Sequence, residues 1–93
     1  MIKSFKDKES ELIWAQNISK KYGINIQKVA LRKMFILHAA KNLNDLKIPP
    51  ANRLEKLKGN RKGQYSIRIN NKWRICFVWK ETDAYQVEIV DYH

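Results

Sequence analysis

The chain has 93 residues, enough for one domain, with 44% hydrophobic and 11% aromatic residues and only three Gly and two Pro, which excludes a disordered or collagen-like composition. A single Cys excludes an internal disulfide and a Cys-rich zinc site. The outlying quantity is charge: 19 Lys+Arg against nine Asp+Glu give +10 on 11.1 kDa, which points to a polyanionic partner. No stretch approaches the roughly 18 apolar residues of a membrane span. The opening residues lack the apolar core of a signal peptide, so a cytoplasmic protein is expected.

Residues 1–6 alternate around Ile2 and Phe5 and predict a first strand. Asp7 then caps a helix whose first turn carries Glu9 and Glu11, suited to the positive end of the helix dipole. Its apolar stripe is Leu12, Ala15, Ile18 and Tyr22, and Gly23 suits its C-terminal cap. Asn25 caps a second helix running to about Asn44. Ile26, Val29, Ala30, Leu37 and Ala40 define one face, and Leu31, Met34 and Phe35 another. So much apolar circumference suits a helix held between its neighbour and a sheet, or one that offers a face to a protein partner. His38 has no potential co-ligand at metal spacing and reads as a boundary histidine.

Pro49 and Pro50 end the helix and impose an extended connection. A polar turn follows at Lys58–Gly63, and then three strands. These are marked by Tyr65, Ile67 and Ile69, by Trp73, Ile75, Phe77 and Trp79, and by Val87 and Ile89. The expected fold is α+β in the order β-α-α-β-β-β, with both helices on one face of a mostly antiparallel sheet.

Parity fixes the first of the closing hairpins. A two-residue loop at Asn70-Asn71 would pair Ile69 with Lys72 and Arg68 with Trp73, mixing core and charge. A three-residue loop, Asn70-Asn71-Lys72, pairs Ile69 with Trp73, Ile67 with Ile75 and Tyr65 with Phe77. On the opposite face Arg68 then stands across from Arg74, and Ser66 from Cys76. Facing arginines cost about 0.2–1 kcal/mol on a solvated sheet, and they also describe an anion site. Charge is polarised along the chain. Residues 51–74 hold eight bases (Arg53, Lys56, Lys58, Arg61, Lys62, Arg68, Lys72 and Arg74) and one acid, Glu55, while residues 81–93 hold four acids and neither Lys nor Arg.

The sequence closes on Asp91-Tyr92-His93, and His93 is a candidate general acid or base near neutral pH. The alternation of Val87 and Ile89 puts His93 on the core parity and Tyr92 on that of Arg68 and Arg74. Guanidinium groups grip phosphate bidentately, and cations stabilise the extra charge of a phosphorane-like transition state. The basic segment has no acid cluster for a metal. These groups together suit metal-independent RNA cleavage through the neighbouring 2′-hydroxyl.

Three motifs then carry a family resemblance: Ile48-Pro49-Pro50-Ala51-Asn52-Arg53-Leu54-Glu55-Lys56-Leu57-Lys58-Gly59, Gly63-Gln64-Tyr65-Ser66-Ile67-Arg68-Ile69-Asn70 with Trp73-Arg74-Ile75-Cys76-Phe77, and Val87-Glu88-Ile89-Val90-Asp91-Tyr92-His93. With Ile2-Lys3-Ser4-Phe5 they make the chain resemble, over nearly its whole length, the HigB toxins of the RelE/ParE superfamily of type II toxin–antitoxin systems. The resemblance implies a RelE-like, microbial-RNase-type fold and ribosome-dependent cleavage of mRNA in the A site. It also implies a HigA-type helix-turn-helix antitoxin, through which the complex reaches operator DNA, and no cofactor. By motif position Lys58, Arg74 and His93 match family residues important for cleavage, with Asp91 and Tyr92 beside them. Arg68, Arg61, Lys62, Lys56, Lys72 and Arg53 are the expected RNA-binding residues. Where some members carry a histidine before the Leu-Lys-Gly motif, this chain has Ala51, Asn52 and Arg53. A ParE-like gyrase poison and a non-catalytic RNA-binding module are the alternatives.

Overall fold

A computed structural model describes residues 1–91. Two helices, α1 (Lys8–Trp14) and α2 (Ile24–Ala39), precede four strands: β1 (Glu55–Lys56), β2 (Gln64–Arg68), β3 (Trp73–Lys80) and β4 (Asp83–Asp91). The strands form one antiparallel sheet in the order β1-β2-β3-β4. The expected α+β class is what is found, with both helices on one face.

The N-terminal segment forms less than a full strand. Ile2 bridges Ala84 and Phe5 bridges Val87 in parallel fashion, so the segment shields the outer edge of β4. His38 holds it from the other side, its Nδ1 accepting the Ile2 amide at 3.1 Å.

Both helices are shorter than their apolar spacing suggests. α1 is capped by Asp7, whose carboxylate accepts the Ser10 amide at 3.1 Å, but it stops at Trp14. Gln16 turns left-handed at φ 63°, which leaves Ile18 81% exposed and Tyr22 buried outside any helix. Side-chain bonds to the backbone outcompete the helix here. The Gln27 amide accepts the Ser19 N–H and donates to the Ser19 and Tyr22 carbonyls, while the Ser19 hydroxyl donates to Glu9. The buried residues of α1 are Ser10 and Ile13 rather than the expected Leu12–Ala15–Ile18 stripe. Gly23, not Asn25, stands at the N-cap of α2, and α2 ends at Ala39. Asn42 and Asp45 then form a capping box that starts a separate 3-10 turn at Leu43–Lys47. The buried face of α2 is Ala30, Lys33, Met34 and Leu37, a single i, i+3, i+4, i+7 stripe. Met34 thus belongs with Ala30 and Leu37, while Phe35 is half exposed.

The β2–β3 register is the one parity requires: Tyr65 with Phe77, Ser66 with Cys76, Ile67 with Ile75 and Arg68 with Arg74. Ile69 donates to the Trp73 carbonyl at 2.9 Å, and the Asn70 side chain accepts the Lys72 and Trp73 amides to close the turn. The core lies between the helices and the sheet face bearing Ile67, Ile75, Phe77, Val87 and Ile89. The short strand β1 was invisible to periodicity, because two exposed residues carry no alternation.

Candidate active site

The sheet face turned away from the helices carries the polar chemistry. Register aligns Glu55, Ser66, Cys76 and Glu88 in one row across all four strands. Arg68, Arg74 and Val90 form the adjacent row. Glu88 at the far end is neutralised by Arg61 at 3.1 Å and Lys6 at 3.4 Å. Arg61, expected to bind RNA, gives one terminal nitrogen to Glu88 and Gln64.

Arg74 is the organising residue, 8% exposed on the central strand β3. Its Nε donates to the Ser66 hydroxyl at 2.7 Å, and one terminal nitrogen donates to the Arg53 and Ser66 carbonyls. The other terminal nitrogen lies 3.9 Å from the Glu55 carboxylate. Arg68, paired with Arg74 in register, donates from a terminal nitrogen to the Asn71 side chain. A cleft of about 170 Å³ opens over this cluster, lined by Arg53, Glu55, Arg68, Asn70, Asn71, Lys72 and Arg74. Beneath it Cys76 is fully buried, and burial pushes its thiol pKa up, keeping it a neutral packing group.

The Arg53 carbonyl reaches Arg74 because Arg53 is held left-handed, at φ 44° and ψ 59°. A non-glycine residue persists there only when its surroundings dictate it. The dictating residue is Asn52, fully buried, which donates to the Leu46 and Ile48 carbonyls at 3.1 and 3.3 Å. Its side-chain oxygen accepts from the ammonium of Lys33, a buried lysine of α2. Burial lowers the Lys33 pKa, and the charges of Arg32 and Arg68 lower it further. Sequence reasoning missed Lys33 and Asn52. The signal for Lys33 was a cation on the i, i+3, i+4 stripe of Ala30, Met34 and Leu37.

The expected residues fall into separate places. Arg53, Arg68, Lys72 and Arg74 share the cleft. Lys56, Lys58 and Lys62 line a second, mostly apolar groove with Leu57 and Gly59 around the 3-10 turn Gly59–Arg61. Lys58 is therefore not in the cleft of Arg74. Asp91 pairs with Trp73 in register, on the core parity, but its carboxylate lies 3.8 Å from the Lys72 ammonium at the border of the cleft. Tyr92 and His93 lie outside the described residues. Among the described residues no group of three His, Cys, Asp or Glu side chains could hold a metal, and no helix is long and apolar enough to cross a membrane.

Residues 3–93 match the family model described as the RelE-like toxin of type II toxin–antitoxin system HigB. The chain belongs to the HigB-like toxin family. It is thus a toxin of a type II toxin–antitoxin system, with an antitoxin as partner. Toxin HigB-1 of Vibrio cholerae serotype O1 is 42% identical over 82 residues, spanning 85% of this chain and 84% of that protein. Endoribonuclease HigB of Proteus vulgaris is 33% identical over 95 residues and covers both chains completely. In three dimensions this HigB-like chain is similar to a YafQ mutant from E. coli, with a TM-score of 0.69 at 15% identity over 99% of this chain and 92% of that one. It is also similar to a chain of the heterotetrameric YoeB–YefM toxin–antitoxin complex of Staphylococcus aureus, with a TM-score of 0.62 at 20% identity over 100% and 95%. These two likenesses show the fold, and the family match describes it as that of a RelE-like toxin.

Proposed function

We propose that this toxin arrests translation by cutting mRNA in the ribosomal A site, through attack of the 2′-hydroxyl on the adjacent phosphate. The chain is an endoribonuclease, in keeping with its full-length relationship to the Proteus vulgaris enzyme. The observation that carries the chemistry is the cleft around Arg74, a guanidinium fixed in place by Ser66 and Arg53 with cations beside it. A preorganised cation gains most where negative charge develops, on the phosphorane oxygens.

In this reading Arg74 stabilises the transition state and His93 protonates the departing 5′-oxygen, with Tyr92 and Asp91 flanking it, while Lys58, in the second groove, binds the RNA outside the cleft. Arg53, Arg68 and Lys72 draw the RNA into the cleft, while Lys56, Lys62 and Arg61 extend the basic surface toward ribosomal RNA. So small a catalytic set suits an enzyme whose substrate is positioned by its partner. The antitoxin is a HigA-type helix-turn-helix protein that carries the complex to operator DNA, and the toxin works in the cytoplasm.

Expression of wild type and His93→Gln from a tight promoter, with mapping of mRNA 5′ ends, tests the reading. New ends within translated messages and growth arrest are expected together in wild type and absent from the variant. Undiminished toxicity in His93→Gln, with DNA breaks and no new RNA ends, would overturn it.

A further inference from the structure

Among the described residues two charged side chains are buried, Lys33 on α2 and Arg74 on β3. They belong to different layers of the fold, and one short run of bonds joins them. The Lys33 ammonium donates to the Asn52 side-chain oxygen. The Asn52 side-chain nitrogen donates to the Leu46 and Ile48 carbonyls. The Asn52 and Arg53 amides close a 3-10 turn on the Pro49 and Pro50 carbonyls at 2.9 and 3.1 Å. Arg53 ends that turn in the left-handed region, with its own carbonyl on Arg74.

An ammonium can only donate and a backbone carbonyl can only accept. A side-chain amide serves both, with its oxygen toward Lys33 and its nitrogen toward the carbonyls. Burying an ammonium is costly, and an apolar side chain would fill the same place on α2 without that cost. What the lysine supplies is direction. It holds the amide one way round, and with it the turn that aims the Arg53 carbonyl. Neither Lys33 nor Asn52 lines the cleft, so both act on it from behind. We infer that Asn52, oriented by Lys33, is a positioning residue for RNA cleavage, setting the Arg74 guanidinium through the backbone of Arg53. The inference rests on the nuclease reading above and gives α2 a part in it.

The test is single-turnover cleavage, at saturating toxin, of a message on programmed ribosomes. Binding is measured separately on the same message carrying one 2′-deoxy nucleotide at the cut site. Asn52→Asp keeps an acceptor for Lys33 but has no hydrogen to give the two carbonyls. It is expected to cut about 10- to 10²-fold more slowly, the cost of a small misplacement at the reacting centre. Its binding stays within a few-fold of wild type, because Arg53, Arg68 and Lys72 still line the cleft. Lys33→Met leaves the amide oxygen without its donor and shifts the rate the same way by a smaller factor, which carries the test should Asn52→Asp fail to fold. Glycine enters the left-handed region without steric cost, so the loss from Asn52→Asp should shrink in an Arg53→Gly background. Exchange of the Arg74 Nε–H with water, read by NMR without substrate, should quicken in Asn52→Asp. A wild-type rate in both Asn52→Asp and Lys33→Met would overturn the inference. So would binding weakened in step with the rate, an equal loss in both residue-53 backgrounds, or unchanged exchange at Arg74. Failure of the nuclease reading shows on wild type alone, as cleavage of the deoxy message or no cleavage of the normal one, and the exchange at Arg74 still reads the positioning.

Discussion

Arg74 and Lys62 belong to the same basic segment and are anchored in opposite ways. Arg74 lies on a central strand, shielded from water, with its side chain bonded to Ser66 and to the Arg53 carbonyl. Lys62, like Lys58, is exposed beside a 3-10 turn, and no ion pair joins either lysine to a carboxylate among the described residues. The difference teaches that charge by itself does not mark a site. An exposed lysine attracts a polyanion from a distance and is screened by salt. A guanidinium whose position is fixed before substrate arrives contributes at the transition state, because no reorganisation is needed when charge develops.

The comparison can be broken by cutting the wiring of Arg74. Asn52→Ala removes the side chain that ties residues 46, 48 and 33 together and leaves a buried lysine and two carbonyls without their partner. A loss of about 2–3 kcal/mol is expected from the urea midpoint. Ser66→Ala deletes one charge-assisted bond to Arg74 and should cost about 1–2 kcal/mol in the same measurement. Lys62→Ala is the control, expected within about 0.5 kcal/mol of wild type.

The smallest effect is a pH trend. Burial holds the Lys33 pKa below the ordinary 10.5, so between its folded value and 10.5 the unfolded chain binds the extra proton. Stability contributed by this group therefore rises with pH through that window, is complete above it, and is lost as pH falls through the folded value. Lys33→Met has no such proton to release. Wild type should thus gain on Lys33→Met between neutral pH and about 10 in parallel urea titrations, and a flat difference would contradict the burial of a strained cation.

Much of this was legible in the sequence, for physical reasons that differ by region. The β2–β3 register followed from parity, because an error of one residue would have put Lys72 opposite Ile69. Facing Arg68 and Arg74 came with it. The end of α1 was not legible, since the Leu12–Tyr22 spacing is helical and the Gln27–Ser19 bonds that stop the helix span eight residues. The support of Arg74 was hidden for the same reason. Lys33, Asn52, Arg53 and Ser66 meet only once α2, the connection after it and the sheet have packed. Glu55 could be counted in the sequence as the one acid among eight bases, but its place beside Arg74 depends on a two-residue strand with no pattern of its own.

The account turns on fixed geometry rather than charge, and one measurement separates them. Single-turnover cleavage of a message on programmed ribosomes is compared for Arg74→Lys and Lys62→Ala at one ionic strength. Arg74→Lys keeps the charge but cannot span Ser66 and the Arg53 carbonyl together while presenting a third nitrogen. Its rate should fall by about 10²-fold or more, while Lys62→Ala, which loses a full charge, stays within a few-fold of wild type. Near-normal cleavage by Arg74→Lys beside a large loss in Lys62→Ala would contradict the account.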